Sequence, residues 1–312
     1  MDDNSSRNEL EARLPALRPR LHRYCARMTG SVIDGEDVLQ DALADAHRAL
    51  AQGAVVEDME RWLFRIARNA ALDHLRQRAR RNAMFVEDAD MATIEDPIAS
   101  AEQRLAAAAS LRTFMHLSLV QRSTVILVDV LGLSLKEAAD VMEATVAAIK
   151  AALHRGRTRL SALAAEPDEA PAPTLSADEE RRLRHYVDRF NARDFDAIRA
   201  LVAEDVQVDL VARTRLRGKA AVSTYFGNYA RATDWALSPG FVDGRPAILV
   251  CRPDAAAQAP VSFMLVDWRG DQVAAIRDFR HAPYAVEGAD IRTPSTASAE
   301  RCAAPPDGSA RR

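Results

Sequence analysis

Residues 117–160 read LSLVQRSTVILVDVLGLSLKEAADVMEATVAAIKAALHRGRTRL, and three helical patterns fit inside them. The first, over 121–131, is apolar almost throughout and stops at Gly132, the residue type best suited to the left-handed turn past a helix end. The second opens at Ser134 with Glu137 three residues on, a capping box in which each side chain satisfies a free backbone N–H. The third follows Thr145, an N-cap, and sets Val146, Ile149 and Leu153 on one face. Its opposite face carries Lys150, His154 and Arg157, with the small Ala147 and Ala151 between them. Two short helices joined by a tight turn, the second basic outside and apolar inside, make a helix-turn-helix. The alanines let the backbone approach a groove, while Lys150, His154, Arg155 and Arg157 reach for phosphates or base edges. Periodicity alone fits an ordinary helical hairpin with a solvated basic face as well.

The wording of the stretch goes further. With Gln121-Arg122, Asp129 through Ser134, Glu137-Ala138-Ala139 and Lys150 through Leu160 in place, it resembles region 4 of the extracytoplasmic-function (ECF) sigma factors. The resemblance implies recognition of −35 promoter DNA through Thr145, Ala147, Lys150, Ala151, His154, Arg155 and Arg157. It also demands a second DNA-reading module and a polymerase-binding surface upstream.

At 312 residues the chain has room for two or three domains. No apolar run is long enough to span a bilayer, and the N-terminal MDDNSSRNELEAR lacks the apolar core of a signal peptide, so a cytoplasmic protein without membrane contact is expected. Cys25, Cys251 and Cys302 are widely spaced and indicate neither a disulfide framework nor a metal site. No cofactor is expected. The net charge of −3 looks wrong for a nucleic-acid binder until it is mapped along the chain. Residues 61–81 hold seven arginines and a single acid, Asp73, whereas 83–103 holds six acids and no Lys or Arg. Overall neutrality hides two basic segments.

Residues 8–30 read as a helix with Leu10, Leu14, Leu17 and Leu21 as its stripe, which Pro15 and Pro19 are expected to break or offset. The next helix, 34–50, buries Leu39, Leu43, Ala46 and Leu50 and sets Asp37, Asp41 and Asp45 in an acidic row. On pattern alone that row is a solvated face. The run from Asp34 to Ala42 resembles the segment of sigma region 2 that docks on the polymerase β′ subunit, which implies core binding by Asp37, Val38, Leu39, Gln40 and Asp41. After a loop over 52–58, the helix 60–81 reads ERWLFRIARNAALDHLRQRARR and resembles the part of sigma region 2 that binds the −10 element. The resemblance implies that the loop holds a flipped base and that Arg61, Arg65, Arg68, Asn69, Asp73 and Arg76 contact DNA. Trp62 and Phe64 are stacking or helix-core residues, and for Trp62 core packing is the commoner role. Residues 82–104 are an acidic linker, and a further helix over 97–116 leads into region 4.

Beyond a linker with Pro167, Pro171 and Pro173, a third domain opens at the Ser176–Glu179 capping box. Leu183, Tyr186, Val187 and Phe190 form a helical stripe, and a short helix is expected over 195–202. Val206, Val208 and Leu210 alternate with polar residues as in a half-buried strand. A helix over 219–231 is followed by three strands, 241–252, 261–268 and 272–279, the last two joined at Gly270-Asp271. This order predicts an α+β domain with an antiparallel sheet. The runs YVDRFNARDFDAIRALVAEDV and RGKAAVSTYF resemble the SnoaL-like family, whose fold encloses a conical pocket. The resemblance implies a small-molecule ligand near Tyr186, Asp209, Tyr225, Trp235 and His281, although core packing is the commoner use of such aromatics. Asp209, Asp278, Arg280 and His281 are the residues that acid–base chemistry would use, and no dyad at fixed spacing points to catalysis.

The expectation is a multi-domain chain: two all-α sigma domains, a region 2 helical bundle and a region 4 helix-turn-helix, plus an α+β SnoaL-like cone-shaped domain. Its divisions are region 2 over 1–82, the acidic linker 83–104, region 4 over 105–165, a Pro-rich linker 166–175, the SnoaL-like domain 176–286 and a disordered tail 287–312. The function expected is promoter-specific transcription initiation with core RNA polymerase (β′ and β subunits) and promoter DNA as partners, no enzymatic activity, and in-cis modulation by the third domain. A stand-alone helix-turn-helix regulator and a SnoaL-type enzyme with a DNA-binding appendage are the alternatives.

Overall fold

The computed structural model describes residues 3–82, 105–164, 173–252 and 259–293. The chain divides into two compact units, Met1–Ala170 with Glu287–Ala289, and Pro171–Val286 with Asp290–Arg312. Each is described by itself.

The first unit is helical. Helix α1, Asp3–Thr29, runs unbroken through Pro15 and Pro19, contrary to the expected break. Pro15 is exposed and Pro19 half-buried, so the carbonyls deprived of a partner lie toward water, while Leu10, Leu17, Leu21, Tyr24 and Met28 bury the other side. Helix α2, Val32–Ala51, is capped by Ser31, whose side chain accepts from the Ile33 and Asp34 N–H groups. Its Gly35 lies against α1 so closely that a Cβ would stand 2.5 Å from the Ala26 nitrogen. Helix α3, Met59–Asn82, closes the bundle with Leu63, Phe64, Ala67 and Ala71 inside.

The expected helix over 97–116 is described only from 105. There it is divided, because Ser110 caps a new single-turn helix α4, Leu111–Phe114. Helix α5, Leu119–Val125, continues as a π-helical stretch over Ile126–Val130, where Leu131 N–H reaches Ile126 O at 3.0 Å. Then come α6, Leu135–Met142, with the Ser134–Glu137 capping box formed, and α7, Val146–Leu163, capped by Thr145. Ile149 and Leu153 are buried as expected, whereas Val146 stays 46% exposed.

The two halves of this unit share one core. Tyr24 meets Ser123 at 2.7 Å, and the buried Arg122 donates to Met28 O at 2.7 Å, Met115 O and Leu117 O. Arg20 donates to Leu131 O at 3.2 Å and pairs with Glu60.

The second unit is α+β. Helix α8, Ala177–Asn191, opens on the Ser176–Glu179 capping box and is followed by α9, Phe195–Leu201. Helix α10 is Lys219–Arg231. Strands β1 Val202–Leu210, β2 Thr214–Arg217, β3 Ala236–Val242, β4 Arg245–Cys251, β5 Pro260–Arg269, β6 Gln272–Asp278 and β7 Ile291–Arg292 form one sheet in the order β2-β1-β6-β5-β4-β3-β7. The sheet is mixed rather than antiparallel, because β1 pairs with β6 in parallel. The run expected as one strand over 241–252 is a hairpin. Asp243 and Gly244 take φ 51° and 76°, so the chain reverses there. Ile291 and Arg292 pair with Val242 and Phe241, so the segment after 287 contributes a strand, and the expected disorder is not found over 291–292. Residues 294–312 lie outside the described ones, as do 83–104 and 165–172 of the two expected linkers.

Candidate nucleic-acid interface

Helix α7 presents the expected −35 residues unequally. Thr145 caps its first turn by accepting from Ala148 N–H at 3.2 Å. Ala147 and Lys150 are exposed, and Ala151, His154 and Arg155 are half-buried. Arg157 does not belong with them. Its Nε and Nη2 donate to the two oxygens of Asp129 at 3.0 and 2.8 Å, with the side chains 8% and 0% exposed. Spacing put Arg157 at nearly the same angle as Lys150, but farther along α7 that face turns inward against α5, where Gly156 approaches Val125. A bidentate buried pair of this kind is structural.

On α3, Arg61, Arg65, Arg68, Asn69, Asp73 and Arg76 fall within an arc of about 140°. Asn69, Asp73 and Arg76 are exposed, Asp73 and Arg76 pairing with each other at 2.8 Å. Arg68 donates to Asn69 at 3.5 Å. Arg61 pairs with Asp58 at 2.9 Å and with Asp140 of α6 at 3.0 Å. Arg65 reaches the Asp140 carbonyl at 3.4 Å and Glu143 at 3.6 Å. Asp140 and Glu143 escaped sequence reasoning, since nothing local ties them to positions so far apart.

The loop over 52–58 ends in Asp58, whose carboxylate accepts from Arg61 N–H, and exposes Val55 at 80%. Phe64 is fully buried, edge-on to Tyr24 at 6.0 Å, and Trp62 packs partly buried against the same core. Both are therefore core residues.

On α2, Asp41 is exposed, and Asp37 and Gln40 are half-buried. Val38 and Leu39, expected at the polymerase surface, are 1% and 0% exposed. A helix packed on two neighbours turns every third or fourth residue inward, and these two belong to the core. Beneath the acidic edge, the buried Glu36 pairs with Arg18 and accepts from Gln40.

In the second unit the expected ligand residues separate. Tyr186, Tyr225 and Trp235 join the aromatic interior around Phe190, which meets Tyr186, Phe195, Tyr229 and Trp235 at 5.2–5.6 Å. Asp209 lies on the other side of the sheet. Val208 and Ile276 face the core in register, while Asp209 pairs with Arg215 at 3.5 Å and Arg277 at 3.8 Å. His281 is exposed beyond β6 and lies 3.1 Å from Arg213. Partial burial and the nearby Arg213 push its pKa down.

The chemically distinctive group is Asp278, one of the four residues the sequence offered for acid–base chemistry. It is buried, accepting from Tyr229 Oη at 2.7 Å, Tyr225 Oη at 3.2 Å and Arg280 N–H at 2.8 Å. Burial raises its pKa, opposed by these donors, and burial with the Asp278 charge raises those of Tyr225 and Tyr229. Tyr186 Oη and Trp235 Nε1 are buried with no hydrogen-bond partner among the described residues.

Comparison with known proteins follows this architecture. Residues 15–81 match Sigma-70 region 2, residues 111–160 match Sigma-70, region 4, and residues 183–291 match a SnoaL-like domain. The ECF RNA polymerase sigma factor SigG of Mycobacterium tuberculosis (strain CDC 1551 / Oshkosh) is 27% identical over 304 residues, covering 88% of this chain and 81% of that protein. SigM of the same species (strain ATCC 35801 / TMC 107 / Erdman) is 31% identical over 144 residues, covering 46% of this chain and 71% of that protein. A crystal structure of the M. tuberculosis ECF sigma factor SigJ matches 86% of this chain and 95% of that chain at 20% identity, with a TM-score of 0.34.

Two sigma regions in succession define a promoter-specificity subunit of RNA polymerase. The chain belongs to the ECF RNA polymerase sigma factors and carries a SnoaL-like domain behind the sigma regions. No helix of the described residues is long and apolar enough to cross a membrane.

Proposed function

We propose that this sigma factor engages core polymerase through the outward edge of α2, Asp37, Gln40 and Asp41, with Val38 and Leu39 shaping that edge from inside. Region 4 reads the −35 element through Thr145, Ala147, Lys150, Ala151, His154 and Arg155. Region 2 reads the −10 element through Arg61, Arg65, Arg68, Asn69, Asp73 and Arg76, and the loop over 52–58 receives an unstacked base. The SnoaL-like domain catalyses nothing and modulates this activity in cis, within the cytoplasm. The domain limits are those of the sequence reading, except that the regulatory part extends past 286 to take in β7, Ile291–Arg292.

The observation that carries the −35 assignment is the exposure of Lys150 and Ala147 on the second helix of the motif, away from its buried Ile149 and Leu153. Lys150→Ala and Arg155→Ala are each expected to weaken −35 binding by about 1–3 kcal/mol and to flatten its salt dependence. Fluorescence anisotropy checks this. Core binding is expected to be unchanged, and its loss in either variant would contradict the assignment of faces.

A small ligand in the SnoaL-like domain is a second reading, favoured by Tyr186 Oη and Trp235 Nε1, which have no hydrogen-bond partner among the described residues. A molecule with hydrogen-bond acceptors and a flat apolar body suits two such donors among aromatic rings. Tyr186→Phe separates the cases. An idle buried hydroxyl costs stability, so its removal raises the unfolding temperature, whereas a hydroxyl holding an occupant lowers it when lost.

A further inference from the structure

Arg27 is a buried cation to which neither DNA reading nor the core assigns a use. It lies in the last turn of α1, 8% exposed, and pairs with no carboxylate among the described residues. Its Nη2 makes a long 3.5 Å hydrogen bond to Ala107 O, and its Nε is buried without a partner among the described residues. The guanidinium stands 5.7 Å from the centre of the Phe114 ring. Burial, helped by the charge of Arg23, pulls its pKa down to about 10, against the opposing pull of Glu287. The C-terminal end of α1 offers it only about half a negative charge. Buried charges are ordinarily paired or coordinated, so a cation held this way is costly unless something answers it.

Arg27 lines a cavity of about 370 Å³, and every lining residue belongs to the first unit. One wall is small and apolar, built from Ala107, Ala108, Ala109 and Val130. The charged groups are Arg27, Arg23 and Glu287. Glu287 pairs with Arg23 at 2.6 Å, which leaves the charge of Arg27 uncompensated beside the cavity. The volume falls in the range of small-molecule sites, roughly 300–1,000 Å³. It has room for an anionic group together with a compact body, and the planar guanidinium fork matches two oxygens of a phosphate or carboxylate.

We infer that this cavity binds a small organic oxyanion, with its phosphate or carboxylate group on Arg27 and its apolar body against the alanine wall. The occupant touches α1 and the segment entering α4 together, which gives the sigma unit a ligand response of its own, apart from the SnoaL-like domain. The inference depends on neither the −10 nor the −35 assignment.

The test is isothermal titration calorimetry on the full-length protein, with phenyl phosphate and benzoate as probes and ionic strength held constant with chloride. Saturable one-to-one binding is expected, and the tighter probe shows which anionic group the site prefers. Arg27→Gln should weaken binding by at least about tenfold, and Arg27→Lys, which keeps the charge and loses the fork, should weaken it as well. Arg181→Gln, at an exposed arginine of the other unit, should leave it unchanged. Melting followed by circular dichroism adds a readout that a merely structural arginine would fail. Without probe, Arg27→Gln should melt no lower than the unaltered protein, because it removes an uncompensated buried charge, whereas an arginine kept for Phe114 and Ala107 O would lower the melt when lost. No saturable binding of either probe, or equal binding by Arg27→Gln and the unaltered protein, would overturn the site. Binding that appears only after Glu102→Gln would give Arg27 to the chain's own carboxylate and overturn the free ligand.

Discussion

Arg157 and Lys150 sit seven residues apart on one helix, yet they do opposite work. Lys150 is exposed, while Arg157 satisfies both oxygens of a buried Asp129. Arg157→Ala should destabilise the sigma unit by about 3–5 kcal/mol, since it strands a buried carboxylate, whereas Lys150→Ala should leave the urea midpoint unchanged. Side-chain chemistry announced both as cations; only the packing of α7 on α5 divides them. Asp278 poses the same lesson in the other unit. Tyr229→Phe removes its shortest hydrogen bond and should cost about 1–3 kcal/mol where the carboxyl is ionised. Because burial raises the Asp278 pKa, ionisation penalises the fold as pH climbs from the unfolded value through the folded one, and losing a donor enlarges the penalty. The cost should therefore shrink toward pH 4, and urea titrations at pH 4 and 7 check the sign.

Elements carry their own signals where these are local. Ser134 with Glu137, Thr145, and Ser176 with Glu179 mark three helix starts in the sequence, and each cap is formed. The Asp243-Gly244 dipeptide was equally local and is the turn of the β3–β4 hairpin, so one expected strand is two. Other features were not legible. The parallel pairing of β1 with β6 joins segments more than sixty residues apart, and strand pattern shows which face is buried without naming the neighbour. Pro15 and Pro19 spoke for a broken helix, and the buried stripe of α1 overrode them. The close crossing of α1 and α2 depends on Gly35, where an added Cβ meets backbone 2.5 and 2.6 Å away. Gly35→Ala should lower the melting temperature of the full chain measurably, by a few kcal/mol of overpacking, and an unchanged melt would contradict that crossing.

At the scale of the whole molecule, two sigma regions in one compact unit and an α+β domain in another give a promoter-specificity factor with a built-in companion. The order of modules was readable because each carries its own pattern of helix caps, charge and strand alternation. The ion pairs between α3 and α6 were not, for they depend on how finished helices pack. The proposed function requires the sigma unit to join core polymerase and the second unit to modulate this in cis. Co-elution of purified bacterial core polymerase with the full chain and with residues 1–165, both shown folded by circular dichroism, tests it most directly. Residues 1–165 are expected to co-elute with the core, and the full chain to co-elute to a measurably different extent. Absence of both from the polymerase peak would contradict polymerase binding, and identical co-elution together with identical promoter activity would contradict modulation in cis.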